Sequence, residues 1–251
     1  MNKVTWSLAI VAAGLAAPAG ARADRAAVDA YPRRLVDRPL LLPPGLFEVR
    51  FGGLSDAIAR APQDRFRTRA DVAYGFGGRF MVGADTDVAV APADAMEIVD
   101  VSARLDYSLV PAASIRVAGF AYDDAPGDGD ADVAFGFRVG LPAQLGLGRS
   151  MTLQVTPDVS FAGTAVLRIP AGLSLQLFDA AAIVVDSGLR VEEFRFERDE
   201  AAGVDTWDVP FGVGVWLGLS RRIDLTVRLE WPDTAHRRGD RWLFASFAFR
   251  G

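Results

Sequence analysis

From Ile223 to Trp231 every second residue is apolar (Ile223, Leu225, Val227, Leu229, Trp231), and Asp224, Thr226, Arg228 and Glu230 fill the positions between. A period of two places these sets on opposite faces of one strand. The pattern recurs along the chain and predicts about twelve strands: 46–52, 67–77, 79–90, 97–110, 114–122, 131–142, 150–161, 166–178, 181–196, 206–219, 222–231 and 241–250. Most exceed the about 5–6 residues of an ordinary soluble strand. They reach the about 9–11 that a tilted strand needs to cross a bilayer.

Helices are a poor alternative for crossing a membrane. The chain is 51% hydrophobic with a mean hydropathy of only +0.19. After residue 23 no stretch supplies the about 20 consecutive apolar residues of a spanning helix. The N-terminus reads as an export signal: Lys3, the apolar run Val4–Ala17, and a small-x-small site at Ala21-Arg22-Ala23. Residues 1–23 are therefore expected to be a cleaved signal peptide. Residues 24–44, with Pro32, Pro39, Pro43 and Pro44 and no usable period, are expected to be an extended periplasmic leader. Residues 45–251 are left for a single barrel domain.

The connections alternate between longer polar segments (53–66, 91–96, 123–130, 197–205, 232–240) and tighter ones, including Gly78, Asp179-Ala180 and Ser220-Arg221. Long outer loops, short periplasmic turns and an even strand number form the outer-membrane pattern. Two connections fit less well: 143–149 is long for a periplasmic turn, and 162–165 is short for an outer loop. Strands 5 and 9 are irregular as well, because Phe120 and Tyr122 share a row with Arg116, and Glu192 adjoins Glu193. A bulge in each is expected to restore the alternation.

Alternation alone does not say which row faces inward, since soluble and membrane barrels share it. Composition decides. Rows such as Val209, Phe211, Val213, Val215 and Leu217 are apolar throughout. Their opposite rows mix Gly with Asp and Arg, as in Asp208, Gly212, Gly214 and Gly218. Glycine at every second residue only weakens a convex solvated strand, but it makes room on a crowded concave wall. The apolar rows are thus assigned to lipid and the Gly/Asp/Arg rows to the lumen. The lumen residues expected are Glu48, Arg50, Arg69, Asp71, Arg79, Asp85, Asp100, Arg104, Asp106, Arg138, Arg168, Asp186, Arg190, Asp208, Asp224, Arg228 and Glu230. Such charges either zip together and close the lumen or line a narrow wet path that slightly favours cations.

Little in the chain points to chemistry. There is no Cys, and so no thiol nucleophile, disulfide or lipid attachment site. The one histidine, His236, sits in a polar loop without a serine beside it. Asp128, Asp130 and Asp132 mimic the first ligands of a calcium loop, but Val133 and Val139 stand where that loop requires Gly and Glu. No enzyme activity, metal or cofactor is expected. With 27 basic against 32 acidic side chains, nucleic acid is not expected as a partner. The expected partners are outer-membrane lipid, the barrel assembly machinery and small solutes.

The last strand, Trp242 to Phe249 followed by Arg250-Gly251, resembles the C-terminal assembly signal of Gram-negative outer-membrane proteins, though that signal ends on the aromatic. Asp37-Arg38-Pro39, then Pro43-Pro44-Gly45 and Phe47-Glu48, resemble the start of barrels of the phenol meta-degradation transporter type. That resemblance implies passage of small, including aromatic, solutes and carries over no functional residue. The fold expected is all-β: a transmembrane antiparallel up-and-down barrel of about twelve strands in the cell outer membrane. Its expected function is porin-like, the passive or facilitated passage of small solutes. The alternatives are a closed structural or surface-interaction barrel, or a lipid-modifying outer-membrane enzyme.

Overall fold

A computed structural model of the chain describes residues 25–56, 66–90, 96–123, 133–196, 198–199, 204–235 and 241–251. The export signal, His236 and the Asp128–Asp132 segment lie outside the described residues. The strands are β1 (Phe47–Asp56), β2 (Phe66–Phe76), β3 (Phe80–Val90), β4 (Met96–Val110), β5 (Ala113–Asp123), β6 (Val133–Gly140 and Ala143–Gly146), β7 (Met151–Val155 and Asp158–Ala162), β8 (Thr164–Arg168 and Ala171–Phe178), β9 (Ala181–Ser187 and Arg190–Glu192), β10 (Trp207–Asp208 and Phe211–Gly218), β11 (Ile223–Trp231) and β12 (Trp242–Arg250).

Each strand pairs antiparallel with the next, and β1 also pairs with β12 from Glu48↔Arg250 to Asp56↔Trp242. The sheet is thus a closed twelve-strand barrel. Closure matters because an open edge would leave a row of backbone N–H and C=O groups unsatisfied in hydrocarbon.

The rows separate as their composition requires. On β10, Phe211, Val213, Val215 and Leu217 are exposed while Gly212, Trp216 and Gly218 are buried. On β12, Phe247 and Phe249 keep 44% and 43% of their surface exposed, whereas Phe244, Ser246, Ala248 and Arg250 are buried. Polar side chains therefore fill the interior and large apolar ones cover the outside, the reverse of a water-soluble barrel. So wide an apolar surface is stable only against lipid. Aromatic stacks stand near the ends of this band: Phe76, Phe80 and Tyr107 at the short-turn end, Phe211 and Trp231 at the other.

Prolines interrupt four neighbouring strands, and a Gly-Leu step interrupts a fifth. β6 to β10 break at Leu141-Pro142, Thr156-Pro157, Ile169-Pro170, Gly188-Leu189 and Val209-Pro210. These breaks lie side by side. Leu141 N donates to Pro157 O (2.9 Å), Thr156 N to Pro170 O (2.9 Å) and Ile169 N to Leu189 O (2.8 Å). Proline has no N–H for the ladder, so one row of bonding is thinned across neighbouring strands. Because the strands tilt, this row climbs from the short-turn end of β6 toward the far end of β10.

Other irregularities resolve simply. The long 143–149 connection is shortened because Ala143–Gly146 pairs with β7. The short outer connection is a hairpin turned at Gly163, whose φ of 76° suits glycine. The bulge expected in β5 is absent: Arg116, Phe120 and Tyr122 all belong to the inner row, with Phe120 under Arg138 and Tyr122 Oη donating to Ala162 O. Strand β9 is not bulged either; it stops at Glu192, and Glu193 and Phe194 turn away with φ of 50° and 57°.

Residues 25–44 are more ordered than an extended leader. They form helix α1 (Arg25–Ala30) and a 3-10 turn at Leu35–Asp37. Val28 and Tyr31 pack with Leu46 in a small buried apolar cluster, joined by Ala27 and Leu42. The leader is tied across the short-turn end of the barrel. Arg34 donates to Arg149 O (2.6 Å), Gln176 accepts from Val36 N (3.4 Å), and Thr152 donates to Val36 O (3.0 Å). On the far side, the carbonyls of Leu42 and Pro43 lie so close to Gly75 of β2 that a Cβ there has no room.

Candidate functional site: the charged lumen

Alternation delivers one inward side chain from every second residue of every strand, and the barrel wall gathers them around a cavity of about 560 Å³. Ten of the expected lumen residues line it: Arg50, Arg69, Asp71, Asp85, Asp100, Arg138, Arg168, Asp186, Asp224 and Arg228. Leu35 and Arg38 of the leader line it too, so the leader forms part of its boundary.

At the short-turn end the charges knit into one network. Asp224 accepts two bonds from Arg38 (2.5 and 3.1 Å) and one from Arg250 (2.5 Å). Arg250 also pairs with Glu48 (2.6 Å), which pairs with Arg50 (2.7 Å). The Arg38 guanidinium lies 4.7 Å from the ring centre of Trp216 and 5.2 Å from that of Tyr31. Such forked and stacked contacts are particular to arginine. Burial pushes the Tyr31 phenol above its ordinary value, and the Glu48 carboxylate adds to the shift.

Further up, Arg104 bridges Asp71 (2.6 Å) and Asp85 (3.1 Å), and Arg69 pairs with Asp87 (3.2 Å). Asp106 is wholly enclosed between Arg116 (2.7 Å) and Arg104 (3.8 Å). Gly83 makes room for this group, since a Cβ there would sit 2.8 Å from the Arg104 guanidinium carbon. On the opposite wall Arg228 bridges Asp186 (2.6 Å) and Glu230 (2.8 Å) over the Phe244 ring. Asp158 takes Arg168 at 2.9 Å, with Arg138 at 3.6 Å. Arg190 links Glu192 (2.6 Å) and Asp208 (3.2 Å) nearer the outer rim, where its side chain is 46% exposed.

Not every expected residue faces the lumen. Arg79 lies in the turn after β2 and reaches Tyr107 Oη at 3.4 Å, on the outer row. Its parity is that of the lumen row, but the turn frees it from the pleat. Conversely, Arg38 and Arg250 were missed. Arg250 continues the inward parity of Ser246 and Ala248, and that signal was available. Arg38 had none, because no periodicity governs the leader. Among the described residues no group of His, Cys, Asp or Glu side chains is arranged to hold a metal ion.

Solved structures share this architecture. The NanC porin superposes with a TM-score of 0.55 at 11% identity, covering 81% of this chain and 98% of that one. The KdgM porin in complex with disordered oligogalacturonate gives 0.55 at 8% identity with the same coverage. KdgM porin alone gives 0.54 at 9%. The fold is that of an outer-membrane β-barrel. No protein-family model matches the chain, and no curated protein does. The porin-like wall and the lipid-facing rows described above together put this barrel in the outer membrane.

Proposed function

We propose that this barrel gives small polar solutes passage across the outer membrane through its charged lumen. One observation carries the reading: the closed wall encloses about 560 Å³ lined by Arg and Asp. That volume lies within the roughly 300–1,000 Å³ common for small-molecule sites. A wall of ionised groups that is not fully zipped together keeps water, and water is the medium in which polar solutes move.

The leader restricts this path. Arg38 ties it to Asp224 across the short-turn mouth, and loosening that tie should widen the path. The likeness to the phenol meta-degradation type is part of the same proposal. It is carried by Asp37-Arg38-Pro39 and Pro43-Pro44-Gly45, which the leader uses to reach Asp224 and to pass Gly75. A closed structural barrel is the second reading, favoured by the same leader. We propose no catalytic role.

Planar-bilayer recording of the purified chain tests this. Discrete conductance steps that grow in Arg38→Ala are expected. A silent bilayer for both the native chain and the variant would leave the closed barrel as the better account.

A further inference from the structure

Most charges lining the cavity are satisfied by their neighbours, but two are not. The side chain of Asp100 of β4 makes no ion pair or hydrogen bond among the described residues, and its Oδ1 is buried without a partner. Arg138 of β6 lies over the Phe120 ring, and the carboxylate nearest to it, Asp158, is at 3.6 Å, beyond hydrogen-bond range. Asp158 is already taken by Arg168 at 2.9 Å, and the Arg138 Nε is likewise buried and unpartnered.

These two groups face one cavity. Arg138 stands two strands along the row Arg104↔Ala118↔Arg138, and Asp100 stands four residues up β4 from Arg104. With strands about 4.8 Å apart, residues about 3.4 Å apart and a tilt of about 35–45°, the two lie about 3–6 Å apart in height. They form no ion pair with each other, since Arg138 turns to Asp158 instead.

We infer that this level of the lumen favours solutes bearing a positive and a negative group together, small zwitterions, held between Asp100 and Arg138. A single ion here gains at one of the two groups and loses at the other. A molecule with both groups, lying along the wall from β4 to β6, gains at both. It also supplies partners for the buried Asp100 Oδ1 and Arg138 Nε. The inference rests on the passage reading above and narrows its substrate class.

Glycine and glycolamide test it, because they are isomers of equal size and only glycine is zwitterionic at neutral pH. In osmotic swelling of proteoliposomes carrying the native chain, glycine should enter roughly threefold faster. Asp100→Asn combined with Arg138→Gln should bring the ratio to about one, while Asp100→Glu and Arg138→Lys, which keep both charges, should retain the preference. Equal rates in the native protein would overturn the inference and leave passage standing. A preference that survives the double variant would also overturn it, since these two residues would not be its source. Swelling with neither solute would remove the passage reading itself.

Discussion

At the scale of single residues, burial decides what a charge is worth. Asp106 is fully enclosed, and Arg116 depends on it. Asp106→Ala would leave the Arg116 guanidinium, 26% exposed, without its carboxylate, a change that should cost about 1.5–3 kcal/mol. Arg190 pairs at equally short range, but its side chain is 46% exposed, so water screens the contact. Arg190→Ala should cost less than about 1 kcal/mol. Urea titration of the detergent-folded barrel compares them. Equal midpoint shifts would mean that enclosure of Asp106 adds nothing. The same logic explains why Arg38 is held so firmly: two bonds to Asp224 and stacking on two rings act where little water remains.

At the scale of elements, the leader is held by small contacts spread around the rim, each of which can be removed alone. Gly75 is one. A methyl group there would collide with the carbonyls of Leu42 and Pro43, so Gly75→Ala should lift the leader while leaving β2 paired to β1 and β3. Trypsin cleavage at Arg33-Arg34 should then speed up by roughly tenfold relative to the native chain, because proteolysis tracks the open population. An unchanged rate would mean that the leader is not anchored at β2. The proline row is the complementary element. Interrupted bonding across β6 to β10 makes that part of the wall locally weaker than β1 to β5, which are continuous. Amide exchange should be faster beside Pro157 and Pro170 than at the centres of β2 and β3.

At the scale of the whole molecule, stability comes from closure and lipid rather than from a dry core. The buried apolar cluster lies between leader and barrel, and the interior is ionic. The protein should resist extraction by carbonate or urea, require detergent, and migrate faster on a denaturing gel before boiling than after. Release in aqueous buffer without detergent would contradict the lipid-facing assignment of Val213, Phe247 and Phe249.

The sequence alone determined the alternation, the strand number and, through Gly beside Asp and Arg, the inward face, because a pleat fixes the side of every second residue whatever the neighbours do. Strand-internal prolines also announced the breaks, although periodicity counts hydrophobicity and not missing N–H groups, so they were read as continuous. Only the tertiary structure decided which charges pair. Register and tilt set Arg104 between Asp71 and Asp85, leave the Asp100 side chain without a partner and Arg138 at 3.6 Å from an Asp158 already bonded to Arg168, and bring Arg38 to Asp224 from 186 residues away. Such contacts depend on distances around a closed ring, and no local pattern along a chain encodes them.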